Sequence, residues 1–126
     1  MRADCLPRAR VSVDVDGVTL AEHGTENSDG VGATTFIEAV PGAEFMVRLD
    51  IEPKFAHRNP NDRINFITFL DGERANATLL FTDHLPIVSK ANGVYEVKNG
   101  ETTIRPFIFA EHNTCMFTFA GTPYMC

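Results

Sequence analysis

Glycine turns recurring through the chain cut it into short runs of alternating apolar and polar residues, and no other feature narrows the fold so far. The turn pairs are Asp16-Gly17, Asp29-Gly30, Pro41-Gly42, Asp71-Gly72, Asn92-Gly93 and Asn99-Gly100. Asp-Gly and Asn-Gly accept the positive backbone angles of tight hairpin turns, whose twist matches that of the strands they join. The cleanest alternation lies over 44–52. There Phe45, Val47, Leu49 and Ile51 oppose Glu44, Met46, Arg48, Asp50 and Glu52. Successive strand residues point to opposite faces, so this segment predicts a strand buried on one side. The class is all-β.

The remaining segments fit that class. Val11, Val13 and Val15 alternate with Arg10, Ser12 and Asp14, predicting a first strand with one buried face. Residues 21–34 are polar and glycine-rich and read as a mobile loop. Strands are expected over 34–39, 63–70, 77–82, 94–98, 102–109 and 115–119, with 53–62 a long connection and 83–93 a loop. In 63–70, Ile64, Phe66 and Leu70 take one face, leaving Ile67 and Phe69 on the other. Pro106 has no N–H for a ladder, so the late strand is expected at an edge or bulged there. The expected architecture is a two-sheet antiparallel β-sandwich, jelly-roll or immunoglobulin-like, of about seven to nine strands with little or no helix. It forms a single domain over 1–126, with 1–8 and 120–126 as flexible ends.

Composition limits the partners. The chain has 126 residues and a net charge of −6, with no basic stripe. Binding to nucleic acid needs clustered Lys and Arg to displace counterions, so nucleic acid is not an expected partner. No apolar stretch suits a signal peptide or a membrane span, so no membrane association is expected. The cysteines, 5, 115 and 126, are odd in number and lack a framework spacing, which suits reduced thiols in an intracellular protein of cytoplasm or nucleus. Ten Phe without a Trp suggest core filling more than a sugar-stacking platform.

The string Val11-Ser12-Val13-Asp14-Val15-Asp16-Gly17-Val18-Thr19-Leu20-Ala21-Glu22-His23 resembles the opening of an uncharacterised domain family of fungal proteins. That family begins with a valine-rich strand, a glycine turn and a Leu-x-Glu-Tyr segment. Phe36-Ile37-Glu38 with Pro41-Gly42 and Phe45 resembles its Tyr-Ile-Glu, Pro-Gly and Phe element. Asp71-Gly72 and Phe107-Ile108-Phe109 fall where the family has a further turn and a late aromatic strand. His23 departs from the usual tyrosine, and the chain stops at Cys126 where relatives often continue into a charged tail. The resemblance implies fungal origin. It carries no activity and no functional residue.

Chemistry-bearing residues are scattered. His112 and Cys115 have a spacing that could supply metal ligands, but no second pair completes a structural site. None of the cysteines lies on a strand-to-helix elbow that would activate a thiolate, and Cys115 alternates with Phe117 and Phe119 as a buried thiol would. The carboxylate pairs Glu22 with Glu26, Asp50 with Glu52 and Asp14 with Asp16 read as solvent faces or turns. Gly30-Val31-Gly32 has no helix or lysine to make a phosphate cradle. No catalytic, cofactor-binding or metal residue is assigned, and no cofactor is expected.

Two features stand above this background. Lys54, His57, Arg58 and Arg63 concentrate positive charge around Phe55 in an acidic chain, and Ile67 with Phe69 puts apolar surface on an outer face. Phe55, His57, Arg58, Ile67 and Phe69 are therefore the expected contact residues of a protein-interaction module whose partner is another protein. A jelly-roll enzyme or ligand-binding domain using His57, His84 or His112 is the alternative.

Overall fold

The computed structural model describes residues 1–2, 8–28, 32–55, 63–110 and 114–120. Along them run β1 (Ala9–Val15), β2 (Val18–Thr19), β3 (Glu22–Ser28), β4 (Gly32–Glu38), β5 (Glu44–Ile51) and β6 (Arg63–Leu70). β7 (Glu73–Phe81), β8 (Ile87–Ala91), β9 (Gly93–Lys98), β10 (Glu101–Ile108) and β11 (Thr114–Ala120) follow. The class is all-β, without a helix among the described residues. Four of the glycine pairs make the expected turns. At Pro41-Gly42 the Ala43 N–H donates to the Val40 carbonyl at 3.0 Å, with Gly42 at φ +74°. The three hairpin pairs Asp16-Gly17, Asp71-Gly72 and Asn99-Gly100 each carry positive φ at both residues. Those three turns close β1–β2, β6–β7 and β9–β10. Asp29-Gly30 lies outside the described residues.

The strands divide into three antiparallel sheets, not the two expected. The largest is six-stranded in the order β2-β1-β5-β10-β9, with β8 also paired to β5. The second is β11-β4-β3 and the third is the hairpin β6-β7. Within the largest sheet the order branches at β5. Its far edge is shared: Phe45 pairs with Phe107 of β10, then Val47 to Ile51 pair with Ala91 to Ile87 of β8. Pro106 sits where β10 leaves β5, and there a missing N–H breaks no ladder bond.

Residues of all three sheets meet in one core: Val11, Val13, Val47, Leu49 and Ile51 from the first, Ile37 from the second, Ile64 and Phe66 from the third. Phe45 stacks on Phe109 at 4.3 Å between ring centroids and leans on Phe107 at 5.5 Å. β5 alternates as its sequence does, with Phe45, Val47, Leu49 and Ile51 buried, but on its other face only Glu44 is exposed, Met46, Arg48 and Asp50 being half-buried.

Several expected loops and faces differ. The polar 21–34 segment contains β3 and the start of β4. Among the described residues β3 pairs only with β4 and is mostly exposed, so it lacks the apolar alternation that marks a half-buried strand. A bulge between His23 and Glu26, with Gly24 at φ +61°, breaks its period further. Residues 83–93 contain β8, and Asn92-Gly93 joins β8 to β9 without positive φ at Gly93. Gly93 serves close packing instead: a Cβ there would lie 2.4 Å from the Arg105 carbonyl oxygen. Of the ends expected to be flexible, Met1 exchanges backbone bonds with Val11, and Arg2 pairs with Glu52. Residues 3–7 and 121–126 lie outside the described part.

Candidate functional site

The β6–β7 hairpin exposes the largest apolar side chains that the register brings together. Alternation places Ile64 and Phe66 in the core and turns Arg63, Asn65, Ile67 and Phe69 outward. A regular ladder from the Asp71-Gly72 turn, with Leu70 opposite Glu73, would set Ile67 against Asn76. The strands instead slip by one residue between Thr68 and Phe69, so Ile67 faces Ala77, Asn65 faces Leu79 and Arg63 faces Phe81. A one-residue shift moves every following side chain to the opposite face. The bulge thus turns Leu79 and Phe81 to the outside, where they are 49% and 54% exposed beside Ile67 at 40% and Phe69 at 59%.

Cations bracket this stripe. The Arg63 guanidinium carbon lies 4.8 Å from the Phe81 ring centroid, within cation–π range. At the other end Arg74 is opposite Phe69. No carboxylate stands in the rows from Arg63/Phe81 to Phe69/Arg74, in a chain whose net charge is −6.

The other expected contact residues are placed differently. Phe55 is half-buried and packs against the core, with its N–H bonded to the Glu52 carbonyl in a turn after β5. His57 and Arg58 lie outside the described residues, as do His112, Cys5 and Cys126. The His84 side chain is 93% exposed, 3.6 Å from the Asp83 carboxylate next to it in the chain. Among the described residues no three His, Cys, Asp or Glu side chains cluster as metal ligands. A depression of about 400 Å³ is lined by Leu20, Ala21, His23, Glu38, Ala39, Val40 and Pro41.

Asp14 departs from the one-sided strand that β1 was expected to be. Ser12 and Asp14 are both buried. Asp14 Oδ1 accepts a 2.8 Å bond from the Thr19 hydroxyl across the β1–β2 turn, and Oδ2 lies 3.5 Å from Arg48 Nη1. Arg48 also donates from Nε to Asp50 at 2.9 Å, and this hydrogen bond with its charge raises the guanidinium pKa further above its ordinary value. The network is structural: a buried carboxylate is held because both its oxygens are answered.

The family comparison assigns no activity. A domain-of-unknown-function family, DUF7918, matches residues 8–117, from just before β1 into β11. The chain belongs to this family. No curated protein and no solved structure matches it significantly. For this DUF7918 domain no helix among the described residues is long and apolar enough to cross a membrane. The residues that carried the resemblance are structural in it: the Asp16-Gly17 turn, buried Ile37 and Phe45, and the core aromatics Phe107 and Phe109. Sequence reasoning missed Leu79 and Phe81, because a bulge decides their face.

Proposed function

We propose that this domain is a protein-interaction module, and that the outer face of the β6–β7 hairpin is its contact surface. The observation that carries the reading is the exposed stripe of Ile67, Phe69, Leu79 and Phe81 between Arg63 and Arg74. Exposed apolar side chains concentrated on one rigid face are the composition of an interface centre, and aromatics with Arg are enriched at contact hot spots. Arginines at both ends of the face, with no acid between them, favour a partner segment that carries carboxylates around apolar residues. A guanidinium over an aromatic face keeps its donors for such a carboxylate. In the sequence, Lys54, His57 and Arg58 add positive charge to the connection that precedes β6.

Fluorescence anisotropy with two labelled peptides tests this. One alternates Leu or Phe with Glu and Asp; the other carries Lys in place of every acid. The acidic peptide should bind more tightly, and binding should weaken with salt. Arg63→Glu/Arg74→Glu should reverse the preference while leaving the thermal midpoint within a few degrees. Equal binding of both peptides, or binding unmoved by the charge reversal, overturns the reading.

The same proposal holds the domain to be fungal and intracellular. The first rests on the opening segments that resemble fungal proteins, the second on the odd, unspaced cysteines. It also treats the three sheets as layers of a sandwich, supported by the single core that all three share.

A further inference from the structure

The β9–β10 hairpin carries a second candidate surface. Phe107 N–H donates to the Asn92 carbonyl at 3.0 Å, so residues 92, 94, 96 and 98 exchange ladder bonds with β10. The N–H and C=O groups of Gly93, Tyr95 and Val97 then point away from β10. Gly93 confirms that direction, since its carbonyl accepts a 2.8 Å bond from Asn76 of β7. Beyond Gly93 no described strand pairs with this edge, which ends the six-stranded sheet. On one face of the hairpin Tyr95, Val97 and Ile104 are exposed, with Tyr95 opposite Ile104 and Val97 opposite Thr102. No charge stands in those two rows. On the other face Glu96 lies 3.9 Å from Lys98 and 3.6 Å from Arg105.

We propose that this edge pairs with the same edge of a second copy of the chain, antiparallel about a two-fold axis at Val97. Open edges recruit another strand, and β9 has neither a proline nor a bulge to prevent it. The residues set the register. With Val97 opposite its own copy, the outward backbone groups meet as a hydrogen-bonded pair, and Glu96 falls opposite Lys98 of the second copy on both sides of the axis. Those are non-hydrogen-bonded positions, where cross-strand side chains approach most closely. A slip that sets Tyr95 opposite Val97 would place Glu96 against Glu96. One that sets Tyr95 against Tyr95 would need the Gly93 edge, which Asn76 occupies. The chosen register also joins Tyr95, Val97 and Ile104 of both copies into one continuous uncharged face. Self-complementary charge, free backbone groups and an apolar face together select a second copy as the occupant.

Sedimentation velocity on the whole chain tests this. The mass should rise with concentration from 13.9 kDa toward twice that value. Val97→Pro removes an N–H that faces away from β10 and pairs with no described strand, so it should stay folded by circular dichroism and monomeric. Glu96→Lys and Lys98→Glu each set like charges opposite across the axis and should each weaken association about tenfold or more. An equimolar mixture of these two single variants restores opposite charges in both rows and should regain the dimer. If Val97→Pro does not fold, the charge mixture decides alone. A wild-type chain still monomeric at about 0.5 mM, or a mixture no better associated than its components, overturns the proposal.

Discussion

At the residue scale, the burial of polar groups is where this chain departs most from its alternating pattern. Asp14 occupies an outward position by sequence, yet it is only 2% exposed because Thr19 and Arg48 answer both its oxygens. Thr68 has no such answer. Its hydroxyl is buried at the β7 bulge and bonds to nothing among the described residues. A buried hydroxyl without a partner loses its bonds to water, whereas a methyl of the same shape loses nothing. Thr68→Val should therefore raise stability by about 0.5–2 kcal/mol, read as a higher urea midpoint at unchanged slope. A fall in the midpoint would show that the hydroxyl is satisfied in solution.

At the scale of elements, β5 is the strand on which the largest sheet is built. β1 pairs along one edge and β8 with β10 share the other, so its inner side chains meet the core along their whole length. Leu49→Ala should cost about 2–5 kcal/mol, because the cavity left between packed strands does not collapse. Glu44→Ala, at an exposed end of the same strand, should stay within about 0.5 kcal/mol. Equal losses in chemical denaturation would contradict the one-sided packing. The strand was legible because its period is local. β3 and β8 were not: β3 is nearly all polar, and β8 is short, so neither shows a long one-sided alternation. The contact face of β6–β7 was half legible, Ile67 and Phe69 from their own alternation, Leu79 and Phe81 only once the bulge is known.

At the scale of the whole molecule, Glu52 ties the start of the chain to the end of β5. Its carboxylate takes Arg2 at 2.7 Å and Arg8 at 3.1 Å, and its N–H donates to the Arg8 carbonyl. Hydrogen bonds from Arg2 and then Arg8 hold its pKa below the ordinary glutamate value. A carboxyl depressed on folding adds stability that is complete above its unfolded pKa and is lost as pH falls through the folded one. The wild-type chain should thus lose more stability between pH 7 and pH 3 than Glu52→Gln, compared by urea midpoints at low salt. The difference should shrink in high salt, since these ion pairs are open to solvent. No difference between the two chains would mean that the pairs contribute nothing to folding.

Most strand positions, three hairpin turns and most of the inward residues followed from sequence alone. Period-2 alternation and positive φ are properties of a few neighbouring residues, so Phe45 to Ile51 and the turns at 16–17, 71–72 and 99–100 need no distant information. The family match spans residues 8–117, which include that strand and those turns. Tertiary structure decided what depends on which strand lies next to which. It divided the strands among three sheets, branched the largest at β5, buried Asp14 beneath Arg48 and packed Phe55 on the core. It pressed Gly93 against the Arg105 carbonyl and, through one bulge, chose the face on which Leu79 and Phe81 stand. Each is a contact between residues far apart in the chain, and a local pattern holds no record of its distant neighbours.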